Sequence, residues 1–308
     1  MTLLLQLLNP PVIGLLAVFV AIVWMLRNER DKTRPLLVFA LILNLFYGWL
    51  LSVVLGREES LLPAKYDYYL AALDYRLGLS ATAIAPMLQG AWQTPLTLVY
   101  DLMLPMMIAW FFVVRSEESR KALILSYIAE MVTGPLLYAV LPACGPRYAF
   151  GAQWLHPPVV EVQTIRLGGM PNAFPSLHVG TAFLLLLSAR GTYSRIVAAC
   201  FVMATAAATL ATGEHYLVDL IPGLIFGAFA ACVGRRLWRL ALLLLGVVLA
   251  WSLVVRFATQ WMILYPGVLR SAMALTMAVA VGMLFYLWRM PASLTAGNGD
   301  PKTLSVRG

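Results

Sequence analysis

Residues 217–234 read LVDLIPGLIFGAFAACVG, an apolar run in which Asp219 is the one charged side chain. Such a run approaches the roughly 20 apolar residues that a helix needs to cross a bilayer. Eight further apolar runs lie along the chain, at 11–26, 35–55, 96–114, 122–141, 174–189, 195–211, 239–255 and 268–288. The pattern predicts an all-α polytopic membrane protein with about nine transmembrane helices, of which the fifth to seventh are short.

The composition of the whole chain indicates the same fold class. Hydrophobic residues make up 61% of the 308 residues and charged residues 12%, against about 45–50% and 25% in average soluble proteins. The mean hydropathy is +0.83. A soluble fold of this size has too little interior to bury so much apolar surface, which excludes soluble enzymes, disordered proteins and disulfide scaffolds.

The basic residues are distributed unevenly between alternate loops. Of the 22 Lys and Arg residues, 15 fall on one side of the nine predicted spans and 7 on the other. By the positive-inside rule, we expect the N-terminus outside and the C-terminal tail in the cytoplasm. The net charge of +8 is then a consequence of topology, and we expect no nucleic-acid partner.

Three polar motifs fall in loops that this topology places on the outer side of the membrane. They are GPRYAF at 145–150, FPSLHVG at 174–180 and TGEHYLVD at 212–219. Their predicted convergence follows from counting charges alone, and it makes this face the place to look for chemistry.

Two of these motifs carry histidines at positions suited to catalysis. His215 and Asp219 are four residues apart, a spacing that puts both on one face of a helix. The carboxylate can then accept from one imidazole nitrogen and leave the other as an oriented nucleophile. Pro175 is typical of a first helical turn, which predicts Ser176 and His178 in that turn, beside backbone N–H groups that favour an anion.

The remaining motif supplies a cation. Arg147 carries a planar guanidinium suited to phosphate oxygens, and Gly145 and Pro146 before it predict a tight turn. The three motifs together therefore offer a nucleophile, a second imidazole and an anion-binding site.

The order GPR, PSLH, HYxxD resembles the type 2 phosphatidic acid phosphatase superfamily of membrane lipid phosphatases and phosphotransferases. The motifs of that family are usually written KxxxxxxRP, PSGH and SRxxxxxHxxxD. PSLH at 175–178 and HYxxD at 215–219 are most similar to the branch that contains inositol phosphorylceramide synthases, with sphingomyelin synthases more distant. The resemblance covers the motifs and a six-helix core, here the second to seventh predicted spans.

The resemblance implies a role for each motif residue. His215 would attack phosphorus and form a phosphohistidine, with Asp219 orienting it. His178 would protonate the departing alcohol and then act as base on water or an acceptor hydroxyl. Arg147, Ser176 and first-turn N–H groups would hold the phosphate oxygens. This scheme requires no metal and no cofactor, and its partners are a phospholipid or lipid-phosphate substrate, an acceptor lipid alcohol and the bilayer.

Two cations of the family motifs are absent from this chain. The Lys of the first motif is missing, the Arg–Pro order is reversed as Pro146–Arg147, and Thr209 stands where the third motif has Arg. Because a phosphomonoester carries more negative charge than a diester, fewer cations favour a phosphodiester unless another Arg substitutes, for which Arg166 is the candidate. The sequence thus favours a head-group transferase resembling an inositolphosphotransferase. The alternative is a phosphatase of lipid phosphomonoesters of the phosphatidic acid or polyprenyl phosphate type.

Two other classes of function stay open at this point. His178, His215 and Asp219 also match a metal site of two histidines and one carboxylate, as in a metal-dependent hydrolase. Glu130 near the middle of the fourth predicted span and Asp101 near the start of the third are costly in a membrane and mark functional positions by default. They are the basis of a transporter hypothesis, against which stands a structural hydrogen bond or ion pair for Glu130.

The chain divides into four predicted parts. Residues 1–34 are an extra N-terminal transmembrane helix with its cytoplasmic loop, 35–234 the six-helix catalytic core, 235–290 two extra transmembrane helices, and 291–308 a disordered cytoplasmic tail. Within the core, the Tyr-rich segment 56–95 is predicted to lie at the membrane interface, as an aromatic belt, a lid or a lipid-entry platform. We expect a bacterial inner-membrane protein with its active site facing the periplasm.

Overall fold

The structure is a computed structural model, which describes residues 10–28, 30–44, 53, 62–78, 81–156 and 161–290. The predicted tail at 291–308 and the second half of the predicted span at 35–55, apart from Val53, lie outside the described residues. In chain order the described helices are α1 (Pro10–Arg27), α2 (Arg34–Asn44), α3 (Asp67–Leu77), α4 (Ala81–Ile84), α5 (Gln93–Asp101), α6 (Met103–Val113), α7 (Glu117–Val140), α8 (Pro146–Phe150), α9 (Leu177–Ser188), α10 (Thr192–Ala211), α11 (Leu217–Gly234), α12 (Trp238–Phe257), α13 (Thr259–Leu264) and α14 (Pro266–Arg289).

Five of these helices, α7, α10, α11, α12 and α14, are long and apolar enough to cross a membrane. The pair α5 and α6 makes a sixth candidate, as one span bent by 59°. Helices α1, α2 and α9 are apolar but shorter. As far as the described residues extend, each predicted run overlaps one helix, or two helices in the case of 96–114, and the all-α membrane fold is confirmed. Nine crossings, and the orientation of the termini, stay predictions.

The break between α5 and α6 corrects the prediction of one continuous span at 96–114. Pro105 is the third residue of α6. A proline inside a helix cannot bond the carbonyl four residues earlier, and its ring clashes with that carbonyl. The residue four positions before Pro105 is Asp101, which is where α5 ends. The bend therefore has a local cause in the sequence.

Helix α11 is the centre of the bundle. Of its most apolar window, 83% is buried within the protein, against 33% for α12 and 28% for α14. It packs against α7, α9, α12 and α14, and α9 is likewise buried from Val179 to Ser188. Helices α9 and α11 thus contact mainly protein, while the longer outer helices expose large apolar side chains, as expected for a surface in lipid.

Glycines allow α9 and α11 to approach closely. A Cβ atom at Gly227 would lie 2.2 Å from the carbonyl oxygen of Gly180, and one at Gly223 would lie 2.6 Å from the carbonyl oxygen of Ser176. Small residues four apart are a common device for helix contact in membranes. Because Ser176 lies beside Gly223 and Gly180 beside Gly227, the two helices run in the same direction.

Helix α7 runs antiparallel to this pair. It lies against α11 at Gly234, where a Cβ atom would meet the Ala122 carbonyl oxygen at 2.2 Å. Further along α7, the buried Glu130 accepts a hydrogen bond of 2.9 Å from Thr181 of α9. The structural hydrogen bond considered for Glu130 is therefore present, whereas Asp101 is exposed at the end of α5.

A short strand pair joins the two long loops. Strand β1 (Ala64–Lys65) pairs antiparallel with β2 (Ile165–Arg166), with Ala64 opposite Arg166. Helix α3 follows β1 and buries Leu70 and Leu73 in a cluster with residues of the motif loops. The Tyr-rich segment is therefore more than an aromatic belt, since one face of α3 packs directly on the segments that carry the motifs.

Candidate active site

The three polar motifs lie together at the end of the bundle where α9 and α11 begin, here called the site end. Arg147 N donates to the Gly213 carbonyl at 2.9 Å, and Ser176 N donates to the Asp219 carbonyl at 3.4 Å. Gly145, with φ of 98°, is pressed against the third motif so closely that a Cβ atom would lie 2.3 Å from the Glu214 carbonyl oxygen. Backbone contacts thus assemble one site from three distant segments.

His215 precedes α11 and does not lie on it, which corrects the prediction that His215 and Asp219 share a helix face. The helix begins at Leu217, with Tyr216 as its N-cap residue. The contact with Asp219 forms nonetheless, because the chain before the helix turns back toward its first turn. His215 Nδ1 lies 3.3 Å from Asp219 Oδ1.

The hydrogen bonds of His215 define which nitrogen can react. Nδ1 lies 2.8 Å from the carbonyl oxygen of Ala173, and a carbonyl can only accept. Nδ1 therefore carries the proton, and in the neutral imidazole Nε2 has the free electron pair. Asp219 is itself fixed, because its Oδ2 accepts from Tyr216 N at 2.9 Å.

The surroundings of His215 make it more basic than an ordinary histidine. Burial alone lowers the pKa of His215, but Asp219, Glu214 and the Ala173 carbonyl stabilise the charged form and outweigh burial, so the pKa is raised above its usual value. A more basic imidazole is a better nucleophile once it is deprotonated.

His178 lies across from His215. It is the second residue of α9, and its ring stacks on Tyr100 with centroids 3.9 Å apart. The centroids of the two histidine rings are 6.2 Å apart, so a single phosphoryl group can contact both. Sequence reasoning did not identify Tyr100, which lies in α5 and has no motif around it.

The start of α9 differs slightly from the prediction. Pro175 lies before the helix, its peptide bond with Phe174 is cis, and Ser176 is the N-cap residue. The Ser176 hydroxyl accepts from Val179 N at 3.4 Å, so the contact described for it is a helix cap. His178 is in the first turn as predicted, where backbone N–H groups lack helical partners.

Arg147 lies close to the segment that carries His215, and its guanidinium also lies near the carboxylate of Glu214. Its side chain is 61% exposed, and Nη1 lies 3.9 Å from Glu214 Oε1. Glu214 also accepts from the Tyr148 hydroxyl at 3.2 Å, and burial raises the pKa of its carboxyl. Glu214 is the one acidic residue inside the motif TGEHY, which is a visible signal for this carboxylate, although no role for Glu214 was predicted from the sequence.

The two other positions considered for cations do not add one at the histidines. Arg166 is exposed in β2, and no contact between described residues joins it to His178 or His215. Thr209 is buried in α10, and its hydroxyl donates to the Ala206 carbonyl at 2.9 Å. Arg147 is therefore the cation that the described contacts bring to the site.

Two further carboxylates at the site came from outside the motifs. Asp67 and Asp74, both on α3, are buried and bind backbone amides of the motif loops.

As to metals, the described part of the chain contains no group of three or more His, Cys, Asp or Glu placed to hold an ion.

The comparison with protein families agrees with the geometry. The family model described as the PAP2 superfamily matches residues 68–233, more than half of the chain, from α3 to α11 and across all three motifs. No curated protein and no solved structure matches the chain. The chain thus belongs to the PAP2 superfamily, whose members are phosphatases and phosphotransferases, and is an integral membrane enzyme acting on lipid phosphates.

Proposed function

We propose that the protein transfers a phosphorus-bearing group of a membrane lipid through a covalent phosphohistidine on His215. The observation that carries this proposal is the bond of His215 Nδ1 to the Ala173 carbonyl. It leaves Nε2 as the basic nitrogen of a buried ring, which is held by neighbours that do not themselves react.

The proposed reaction has two steps. Nε2 of His215 attacks phosphorus, an N–P bond forms, and the P–O bond to the departing alcohol breaks while His178 donates a proton to that oxygen. The acceptor hydroxyl then gives its proton to His178 and attacks phosphorus, and the N–P bond breaks. General acid–base help of this kind contributes about 10²–10⁴-fold.

The phosphate oxygens would contact the first turn of α9 and Arg147. Free N–H groups at a helix start favour an anion, and donors fixed in advance stabilise the charge that develops in the transition state. Ser176 supports this site mainly by capping α9, since its hydroxyl bonds Val179 N.

The charge of the site favours a phosphodiester. Arg147 is partly neutralised by Glu214 at 3.9 Å, and the buried carboxyl group of Asp219 lies 3.3 Å from His215 Nδ1. A dianionic monoester would be repelled more strongly than a monoanionic diester. We therefore favour a head-group transferase of the inositolphosphotransferase kind, with a phosphodiester lipid as donor and a lipid alcohol as acceptor.

A phosphomonoester phosphatase is the second candidate. The observation in its favour is the exposure of Arg147, whose 61% exposed side chain is beyond hydrogen-bond distance of Glu214. Such a side chain can rotate onto a dianionic phosphate, and Arg166 is exposed on the loop that leads to α9.

We propose a bacterial inner membrane as the location, with the site end facing the periplasm, and the distribution of Lys and Arg between alternate loops supports this orientation. A cysteine placed at the exposed His156, labelled from outside intact cells with a membrane-impermeant maleimide, tests this orientation. Labelling of His156→Cys from outside supports it, and labelling only after the membrane is broken contradicts it.

The test of the reaction follows the phosphorus. Purified protein in detergent with EDTA receives ³²P-labelled lipid monoesters and diesters and an acceptor-lipid mixture. A labelled new phospholipid without inorganic phosphate supports the transferase, and release of inorganic phosphate from monoesters supports the phosphatase. Reaction that begins only after metal is added contradicts the metal-free scheme.

Stopping turnover with SDS at alkaline pH traps the intermediate. The expected protein-bound label is labile in acid, stable in base and located on the peptide that contains His215. The chain has three histidines, and the exposed His156 provides a matched control, since His156→Ala should trap the same amount of label.

A further inference from the structure

Two buried carboxylates on α3 contact the site without any part in the proposed chemistry. The buried face of α3 is formed by Asp67, Leu70, Leu73 and Asp74, a spacing that follows one side of a helix. The leucines pack in the core, while the two aspartates, about 10 Å apart along the helix axis at 1.5 Å per residue, contact two different loops.

Asp67 joins the first motif to the third. Its Oδ1 accepts from Gly145 N at 2.8 Å and from the Tyr216 hydroxyl at 3.0 Å, and the carboxylate also accepts from Cys144 N. Asp67 thereby connects the turn that carries Arg147 to the residue that follows His215.

Asp74 caps α11 from another helix. Its oxygens accept from Leu217 N and Val218 N, both at 2.8 Å, and from Ala81 N at 3.1 Å. The first amides of a helix have no partner within the helix, and a side chain at the N-cap position usually supplies one. Tyr216 offers no such side-chain bond here, so Asp74 provides it.

Such buried carboxyl groups are costly unless donors surround them. Asp67 and Asp74 are 0% and 1% exposed. Burial raises the pKa of Asp67 to about 6 and that of Asp74 to about 7, against the opposing effect of their hydrogen bonds. Two groups of this kind on one short helix, each bonded to a motif loop, are more than a packing surface requires.

We propose that Asp67 and Asp74 are positioning residues for phosphoryl transfer, which hold the Arg147 turn and the His215 segment in one fixed relation. Neither touches the reacting atoms. The inference rests on the proposed function, because what it explains is how His215 Nε2 keeps its direction although His215 lies outside any helix.

The test uses Asp67→Asn and Asp74→Asn, in which an NH₂ group replaces one acceptor oxygen and faces a backbone N–H. Asp31→Asn is the matched control, since Asp31 is also a mostly buried carboxylate, 11% exposed and bonded to Thr33 and Arg120, but on the opposite end of the bundle. Tyr216→Phe removes only the phenol contact with Asp67 and keeps the shape of the core.

The rate of phosphohistidine formation in a single turnover, per folded molecule, is the main measurement. We expect it to fall about 10–100-fold in both Asn variants with KM nearly unchanged, since a misplacement of about 1 Å costs up to 10²-fold. Tyr216→Phe should show a smaller fall, and Asp31→Asn none. A structural role alone would lower the melting temperature of all three Asp variants and leave the rate per folded molecule at the wild-type value, which would overturn the proposal.

The two proposals fail in different ways. A wild-type protein that forms no phosphohistidine overturns both of them. A wild-type protein that forms it, with variants that form it equally fast, overturns only the positioning role. If the Asn variants do not fold, Tyr216→Phe decides, because a slower rate supports the role and an unchanged rate contradicts it.

Discussion

Helices α9 and α11 run side by side in the same direction, yet their two ends are held by opposite kinds of group, a carboxyl acceptor at one end and a guanidinium donor at the other. At the site end, Asp74 accepts from Leu217 N and Val218 N at the start of α11. At the other end, the buried Arg235 donates to the Leu187 carbonyl of α9 at 3.0 Å and to the Ala231 carbonyl of α11 at 3.2 Å.

The difference follows from the backbone. A helix leaves unpaired N–H groups at its start and unpaired carbonyls at its end, with a partial positive and a partial negative charge respectively. Anionic groups are therefore stabilised at the start of a helix, where a phosphate or a carboxylate can accept hydrogen bonds from the free N–H groups. Burial lowers the pKa of Arg235 to about 10, which leaves it charged at neutral pH. We therefore expect catalysis at the site end of the pair and a contribution to stability alone from the other end.

Removing the histidines at the site end should have the largest effect. His215→Ala should abolish phosphohistidine and turnover, and His178→Ala should lower kcat about 10²–10⁴-fold. Turnover assays and melting curves on inserted, purified protein check this, with His156→Ala as control. Full activity in either variant would show that the chemistry lies elsewhere.

Crowding the contact between α9 and α11 should have the second-largest effect. In Gly223→Ala the new methyl group meets the Ser176 carbonyl, so the start of α9 must shift. We expect a loss of roughly 1–3 kcal/mol in stability and a clear fall in kcat.

Gly246 on α12 is the matched control, because a Cβ atom there has nothing within 4 Å. Gly246→Ala should keep both stability and activity. Equal melting temperatures and rates for Gly223→Ala and Gly246→Ala would contradict the close packing described for the two helices.

Removing the cation at the opposite end should separate stability from catalysis. Arg235→Ala leaves the Leu187 and Ala231 carbonyls without their charged donor, which should cost about 1–3 kcal/mol while kcat changes less than about twofold. Thermal unfolding and turnover are measured together, with the exposed Arg239→Ala as control. A selective fall in kcat for Arg235→Ala would remove the distinction between the two ends.

The smallest expected effect is on the pH profile. Attack requires neutral His215, and its pKa is raised above the usual value of 6.5, so the acid limb of kcat/KM should have its midpoint above pH 6.5. Glu214→Gln removes one of the groups that raise this pKa, and its midpoint should therefore move to lower pH. Asp219→Asn should move it further in the same direction, since Asp219 is the stronger cause. A midpoint that rises, or stays in place in both variants, would speak against His215 as the group that titrates.

The same raised pKa fixes the sign of a stability effect. Because folded His215 binds its proton more tightly than the unfolded chain does, its contribution to stability is fully present below pH 6.5 and is lost as the pH rises through the folded value.

Local patterns in the sequence located the helices and the candidate site residues. Apolar runs located the helices, and the motifs PSLH and HYxxD identified His178, His215 and Asp219. The rings of His178 and His215 lie with centroids 6.2 Å apart, and His215 Nδ1 lies 3.3 Å from Asp219 Oδ1. These features depend on residues close in the chain, where periodicity and motif spacing carry the information.

The remaining features depend on distant partners. The start of α11 at Leu217 is set by Asp74, 143 residues away from Leu217 along the chain, and the contact of Asp67 with Tyr216 spans 149 residues. A rule for helix starts sees only the neighbouring residues. At α9 the start can be read locally, because Ser176 is a strong N-cap residue, and the prediction that Pro175 lies in the first turn is wrong.

The enclosure of α9 and α11 also bears on how the enzyme responds to its bilayer. A lipid-exposed helix adapts to a change in hydrocarbon thickness by tilting or by deforming the bilayer, at a cost per ångström of mismatch. Such a mismatch acts directly on α12 and α14, which are largely exposed, whereas α9 is buried within the protein from Val179 to Ser188. We therefore expect the separation of His178 and His215 to be nearly independent of acyl-chain length. The rate of the proposed reaction should then change little with the thickness of the membrane.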